Sequence, residues 1–584
     1  MRHARVSPPG AGSQPRPFEA KSPAWLFLQN ALVYGSVARG REGSLLYHET
    51  SDAVFANERG RALIPYRDPR GFDLLFTYRD GTVGSRMRVL NGTNRVATLP
   101  HASGDLGVGF PTWTQLDERI LLARQGAPLR VLYLDDGAEP RFENVIARDR
   151  DPRPLEVDFD DDGPYLGLVP RGHLVTSYQS RVWLSDGDDV LRWSNGLGDF
   201  EGWPASNRRD ISDGQAEGIT ALSSLGDYLV AYRRRSVVVG QGEPANGGGA
   251  FSTRKVRTNG IGCIAPRSVV EVNGRHFFLA QTGEICAFDG ARIERITHPM
   301  QDYLRPQTLL SLDLHGAPRV EAASLPDACA VWYQPWNAYV LMMEGDTAGI
   351  HDLGIAVNVD TGDVSFLNGF DAQAMCVKAG DEDSLLTYDR FGVIYIQDRG
   401  WADTRTIEPS SSPFDHTYEE NRIDVRAVTE PVGLAQHQQH ETVRVRMNVE
   451  HRMALGPAVR PFADTIGKHG TYRTELASPS LMADAHSTGT PARGQVAVGY
   501  LADATTRPED FIIGTNPVEP DGFLPTRVDV ANMRARSVAM MIGNYARADD
   551  ETDADIPTSI AGQPGPETVS IGAVEFEGAD GGPD

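Results

Sequence analysis

The side chains of this 584-residue chain that could do chemistry fall into four groups. Asp158, Asp160, Asp162 and Gly163 spell DxDxDG, the opening of a calcium loop in which alternate carboxylates converge on a hard cation. The bidentate Glu that such a loop needs at its twelfth position is missing, because Val169 stands there. Asp158, Asp160 and Asp162 are thus a weak calcium candidate, and a solvated acidic loop with a glycine turn is the plainer reading. His437 and His440 form HxxH with His451 beyond, but no further ligand is in register, so they read as surface residues of a loop and a strand. Arg233, Arg234 and Arg235 sit in mid-hairpin. Their default reading is a solvated edge that blocks stray strand pairing; the sharper one is a contact with a phosphate or an acidic neighbouring subunit. Trp183, Trp193 and Trp203 recur every ten residues. They could stack against sugars, but strand-spaced aromatics are more often packing residues between sheets.

No catalytic signature accompanies these groups. GxSxG, HExxH, a Walker loop and a GxGxxG opening a helix are all absent from the sequence. A pair of carboxylates set for glycoside hydrolysis needs a spacing in three dimensions that sequence does not display. The expectation is a chain that is not an enzyme, with no catalytic residues and no cofactor.

Charge and composition narrow the setting. With 56 basic and 79 acidic residues the net charge is −23, the opposite of a protein that coats DNA non-specifically. Hydrophobic residues make up 40%, enough for a large core. Cys263, Cys286, Cys329 and Cys376 lie far apart with no CxxC among them, so they read as buried thiols of a protein made in a reducing cytosol. Met1 to Lys21 is polar, with no apolar segment of the kind a signal peptide carries, and no stretch reaches 18 apolar residues. No membrane partner is expected.

The elements that must position these residues are strands. Helical periodicity is almost absent, while a short apolar strand, a turn and a second strand ending in Gly recur seven times, from Phe72, Arg119, Arg181, Tyr228, His276, Tyr339 and Ser384. Successive copies start 47, 62, 47, 48, 63 and 45 residues apart. Those intervals cluster near the length of one propeller blade, about 40–50 residues, with two insertions. Six Asn-Gly pairs supply the positive φ values of type I′ hairpin turns, Asn91-Gly92 and Asn273-Gly274 among them. A four-stranded blade cannot cover both its faces alone, so blades stack around an axis. The chain is expected to be all-β, a β-propeller of six to eight blades over 25–405. A pair of large β-sandwiches is the rival.

A polar arm, 1–24, precedes the propeller. Residues 406–420, rich in Ser and Pro, read as a linker. Beyond it, 421–578 reads as an antiparallel, sandwich-like β-domain with long loops at 456–470 and 477–494, followed by a frayed tail at 579–584. Val443 to Val449 shows the clean alternation of a strand buried on one face. The last 38 residues carry ten acids against Arg547 alone.

Three segments carry a resemblance. YQSRVWLSDGDDVLRWSNGLGDFEGWP from Tyr178, GIGCIAPRSVVEVNGRHFFLAQTGEICAFDG from Gly260, and SVAMMIG from Ser537 followed by VSIGAVEFEG from Val569 resemble the tail-nozzle, or packaged-DNA-stabilisation, β-propellers of short-tailed bacteriophages. They lie along the chain in the expected order. The resemblance implies a structural virion protein, assembled in the host cytoplasm and resident in the tail. It would form a homo-oligomeric ring, hexameric in that family, against portal and adaptor proteins. Such a ring continues and helps seal the dsDNA conduit, without sequence-specific DNA binding, and gives tail fibres or spikes a platform. No catalytic residue carries over. Net negative charge fits a passage along which phosphate must slide, since a basic wall would hold DNA by counterion release. The alternative is a glycan-binding or glycan-cleaving propeller, which predicts a central funnel of convergent carboxylates and aromatics. The absence of SxDxGxxW repeats weighs against its sialidase-like form.

Overall fold

The computed structural model describes residues 2–6, 25–34, 37–48, 59–67, 73–81, 84–91, 94–100, 108–133, 141–145, 159–160, 163–164, 169–196, 199–204, 206–214, 217–244, 250–297, 322–345, 349–399 and 403–407, with strands at 417–421, 426–429, 432–433, 440–453, 495–502, 512–517, 523–530, 537–543 and 566–580. Between Ser44 and Gln397 it holds seven four-stranded antiparallel blades, and these make the chain a seven-bladed β-propeller.

Each of the seven recurrent hairpins forms the two middle strands of one blade. A middle strand is covered on both faces, which explains runs such as the fully buried Arg181–Ser185, Ile285–Phe288 and Ala338–Met343. Turn chemistry acts as expected at Asn273 and Gly274. Both have positive φ, 51° and 71°, and the two residues join Val272 to Arg275 across the hairpin of blade five. The innermost strands of blades one to seven are Arg59–Arg67, Val108–Leu116, Leu174–Tyr178, Ile219–Leu225, Val270–Val272, Cys329–Tyr333 and Ala374–Lys378. They surround the axis, and the seventh lies beside the first.

The core sits between blades rather than inside them. Six clusters each draw apolar side chains from two adjacent blades, as where Trp183, Trp193 and Leu191 of blade three meet Leu229, Val238 and Phe251 of blade four. Polar ties repeat at the same seams. Tyr66, Tyr178 and Tyr333 each lie at or near the end of an innermost strand. Each donates its hydroxyl to a carbonyl in or just after the first turn of the following blade, to Glu118 at 3.4 Å, Asp227 at 2.8 Å and Asp383 at 2.9 Å.

The ring closes with strands from distant parts of the chain. Ser44–His48 is the outermost strand of blade seven, antiparallel to Ile394–Gln397. Beside it Arg41, buried, forms an ion pair with buried Asp403, its Nη1 donating to Oδ1 at 2.8 Å. The same guanidinium donates to Asn30 Oδ1 at 3.0 Å, to the Asn368 carbonyl at 2.6 Å and to the Glu42 carbonyl at 3.0 Å, and lies 4.9 Å from the Phe370 ring centre. One side chain thus joins the N-terminal segment, the last strand of blade six and the strand that leaves blade seven.

Residues 25–40 lie outside the blades. Trp25–Gln29 pairs with Val364–Leu367 of blade six and with Arg426–Thr429, and Val37–Gly40 pairs with Pro566–Asp580. Thr406 and Ile407, at the start of the polar stretch 406–420, belong to strand Asp403–Ile407, which pairs with Thr417–Asn421. The C-terminal strands fall into two sheets. One contains His440–Met453, Phe523–Val530 and Pro566–Asp580, and the other Gln495–Ala502, Ile512–Pro517 and Ser537–Gly543. Most of the arm 1–24, the loops 456–494 and residues 581–584 lie outside the described residues. No described helix is long and apolar enough to cross a membrane.

Candidate functional site

All seven innermost strands, with the short helical turn Pro266–Ser268 before blade five, line a central cavity of about 500 Å³. A funnel at the axis is where a propeller most often holds a ligand, so its lining decides what chemistry is open to it. The wall is apolar and hydroxylic, with Trp113 and Trp332, Thr176 and Ser223. Among the described lining residues Glu271 is the one carboxylate, and Arg61 and Arg267 are the cations.

One mouth of this channel is occupied by the protein itself. The innermost strand of blade two shifts register between Val108 and Thr112, which throws Phe110 out of the regular ladder. Arg124 Nε pins the irregularity by donating to the Gly109 carbonyl at 2.7 Å. Phe110 lies 3.8 Å, ring centre to guanidinium carbon, from Arg267 before blade five, 4.7 Å from Arg61 of blade one and 5.5 Å from the ring of His351 in blade six. Blade two to blade five is the widest separation a seven-blade ring allows, so the ring spans the axis. The electron-rich face of the aromatic ring favours the two flanking cations. Arg267 is held in turn by the carbonyls of Gln373, at 2.8 Å, and Asp327.

The same neighbourhood gathers shifted titratable groups. Burial, with Arg267 adding to it, pulls His351 down to about 3, so it is neutral. Burial and the nearby Asp389 carboxylate push Asp371 up to about 8, although it accepts bonds from Gln373 Nε2 at 3.3 Å and the Arg390 amide at 3.4 Å. Away from the channel, burial lowers His276 to about 4, its ring between the Tyr232 hydroxyl and the Ser224 carbonyl. Nothing in the sequence pattern marks Phe110, Arg61, Arg267 or His351, because they come from four blades.

The residues singled out from sequence do not meet at this site. Asp160 is part of a two-residue hairpin strand, Phe159–Asp160, opposite Gly163–Pro164, while Asp158 and Asp162 lie outside the described residues. His440 and His451 both fall on strand His440–Met453, and His437 lies outside the described residues. Among the described residues no cluster of His, Cys, Asp and Glu is arranged to hold a metal. Cys263, Cys286, Cys329 and Cys376 are free and buried, and burial pushes the Cys263 and Cys329 thiols up to about 12 and about 11.

Trp183 and Trp193 are packing residues, 0% and 1% exposed, with ring centres 4.8 Å apart and Phe251 of blade four against both. Trp203 is partly buried at the seam of blades two and three, its indole N–H donating to the Phe200 carbonyl at 2.7 Å. The run of three arginines splits. Arg233 is fully buried and ion-paired with Asp189 at 2.9 Å and Asp213 at 2.8 Å, which corrects its reading as part of a solvated edge. Both carboxylates come from the blade-three side of the seam, so the neighbouring blade covers the charge and supplies its partners. Arg234 and Arg235 remain exposed.

Among known proteins, no protein-family model matches the chain and no curated protein matches it. A solved structure similar to it is that of the computationally designed Ika8 protein, with 12% sequence identity and a TM-score of 0.33 over 61% of this chain and 99% of that one.

Proposed function

We propose that this chain is a non-enzymatic structural protein of a phage virion, a ring subunit of the head-to-tail junction or tail nozzle. In that role it continues and helps seal the DNA conduit and carries tail fibres or spikes. The carrying observation is the state of the propeller's own channel. Phe110 fills one mouth and, among the described lining residues, Glu271 is the one carboxylate, which supports a blade ring serving as a building block. Hydrolysis of a glycosidic bond would need two carboxylates facing each other across a sugar, about 5–9.5 Å apart. The ordered resemblance of blade three, blade five and two C-terminal strands to the tail-nozzle propellers supports the same reading.

The partners are then further copies of this chain, portal and adaptor proteins, fibres or spikes, and DNA in transit. Cryo-electron microscopy of assembled particles tests the proposal: density for the seven blades belongs in a ring on the head–tail axis, and a position elsewhere overturns it. A second reading, a glycan-binding propeller, rests on Trp113, which is 37% exposed in the channel wall. Release or retention of host polysaccharide that disappears in Trp113→Ala would favour it.

A further inference from the structure

Charge is unevenly placed along this acidic chain. Residues 174–297, which span blades three to five, carry 14 basic and 14 acidic side chains, so the whole surplus of −23 lies elsewhere. Within these blades several acids are engaged by nearby bases, as in Arg233 with Asp189 and Asp213, Lys255 with Asp213, Arg275 with Glu294, Arg292 with Asp289 and Arg295 with Glu284. Arg254 is exposed without a salt bridge and donates to the Gly290 carbonyl at 2.8 Å. Five further arginines, Arg208, Arg209, Arg234, Arg235 and Arg257, are exposed and make no salt bridge among the described residues.

They share one rim. Arg208 and Arg209 lie on the outer edge strand of blade three, Arg208–Asp210. Next to it the Ile211 carbonyl accepts from Arg233, whose following residues, Arg234 and Arg235, form a turn of blade four. Thr258 Oγ1 donates to the Arg235 carbonyl at 3.3 Å and so brings Arg257 beside that turn. Gly262 fixes the same turn from below, since a Cβ there would come 2.0 Å from the Arg233 carbonyl oxygen. The acids at the patch are Glu217, which accepts the Arg235 amide at 3.3 Å, and Asp210, bonded to the Ser212 amide at 2.7 Å. Nearby Asp188, Asp189 and Asp213 are taken up by Arg192, Arg233 and Lys255, so the five arginines leave the patch cationic.

Building on the ring reading above, we infer that this rim docks the acidic run 549–555 of a second copy of the chain. That run holds Asp549, Asp550, Glu551, Asp553 and Asp555 with no basic residue among them, five carboxylates for five guanidiniums. It falls in the connection 544–565 between strands Ser537–Gly543 and Pro566–Asp580. A connection of that length has a contour of about 75 Å, ample to reach out from one subunit and return. Joining unlike patches on successive copies is the heterologous contact that closes a ring by rotation. Exposed pairs are individually weak and screened by salt, so the contact acts in guiding and registering subunits more than in raw affinity.

The test is a charge swap in the full-length chain, read by sedimentation velocity at low and high salt, with melting curves to confirm that each variant is folded. One variant carries Arg234→Glu, Arg235→Glu and Arg257→Glu; the other carries Asp549→Lys, Asp550→Lys and Glu551→Lys. Wild type is expected to self-associate at low salt, and each variant alone to do so about 10- to 100-fold more weakly. An equimolar mixture of the two should recover association, because each reversed patch meets a reversed run on its neighbour. If the doubly reversed single chain recovers and the mixture does not, the run docks within its own chain and the inference falls. It falls equally if the arginine variant associates like wild type, or if wild type stays monomeric at every salt. It also falls if the patch binds short duplex DNA tightly at physiological salt in a way the arginine variant loses. None of these outcomes touches the position of the ring in the particle, which microscopy decides separately.

Discussion

Arg41 and Asp403 show how much one pair can hold when burial is complete. Both are sealed from solvent, and the guanidinium has five acceptors from four parts of the chain. Taking away one partner strands a charge in the interior, so Arg41→Ala should lower stability by about 3–5 kcal/mol in urea unfolding, and a paired change to Leu at both positions should cost less. Asp371 makes the opposite kind of site. Its folded value, about 8, stands above the usual carboxylate range, so the native state keeps a proton that the unfolded chain has lost. Its contribution is therefore fully present below about pH 4 and gone above about pH 8. Asp371→Asn should raise the melting temperature at pH 8 and leave it unchanged near pH 4. His351 and His276, held down to about 3 and about 4, pull the other way. The unfolded chain takes up their protons first, so stability falls as the pH drops below about 6.5. A melting temperature flat from pH 4 to pH 8 in wild type and Asp371→Asn alike would contradict both assignments.

At the level of elements, what the sequence displays and what it hides follow from burial. The middle strands of every blade were legible because both faces are covered, and a run such as Tyr339–Met343 is apolar throughout. The innermost and outermost strands were not, since one side faces the channel or solvent and the pattern thins to pieces such as the wholly exposed Arg208–Asp210. Trp183 and Trp193 could be read as packing residues from strand spacing alone. Arg233 could not, because Asp189 and Asp213 reach it across a blade seam. Phe110 was invisible for the same reason. The closing strand Ser44–His48 is the extreme case, paired with Ile394–Gln397 nearly the whole propeller away in sequence. Its removal exposes that edge and uncovers Leu386 and Ile396 in the seam with blade one. Deleting residues 1–24 should leave amide protection at Ile394–Gln397 intact, whereas deleting 1–48 should abolish it in hydrogen exchange. Equal protection in the two truncations would mean that blade seven does not need its outer strand.

For the molecule as a whole, closure and charge bear on function together. The seven-bladed ring closes by pairing Ser44–His48 with Ile394–Gln397, so no edge strand of a blade is left open at that seam, which suits the proposed place beside packaged DNA. Its acidity then governs what DNA does near it. Counterion release makes affinity for a duplex scale with the number of phosphates that basic residues neutralise, with a salt slope of about −0.9 per contact. A chain of net charge −23 with most of its interior arginines ion-paired or bonded to carbonyls has few such contacts to offer. The exposed rim of blades three and four gathers several, and in the proposed ring the neighbouring subunit would cover it. Two regimes should therefore separate in a fluorescence titration with a short duplex. Isolated subunits at low salt should bind weakly, with a shallow slope set by at most about five phosphate contacts. Rings assembled on portal and adaptor should not bind measurably at all. Tight binding that persists at physiological salt, or binding that strengthens when the ring forms, would place phosphate-gripping cations along the passage and remove the physical basis for an open conduit.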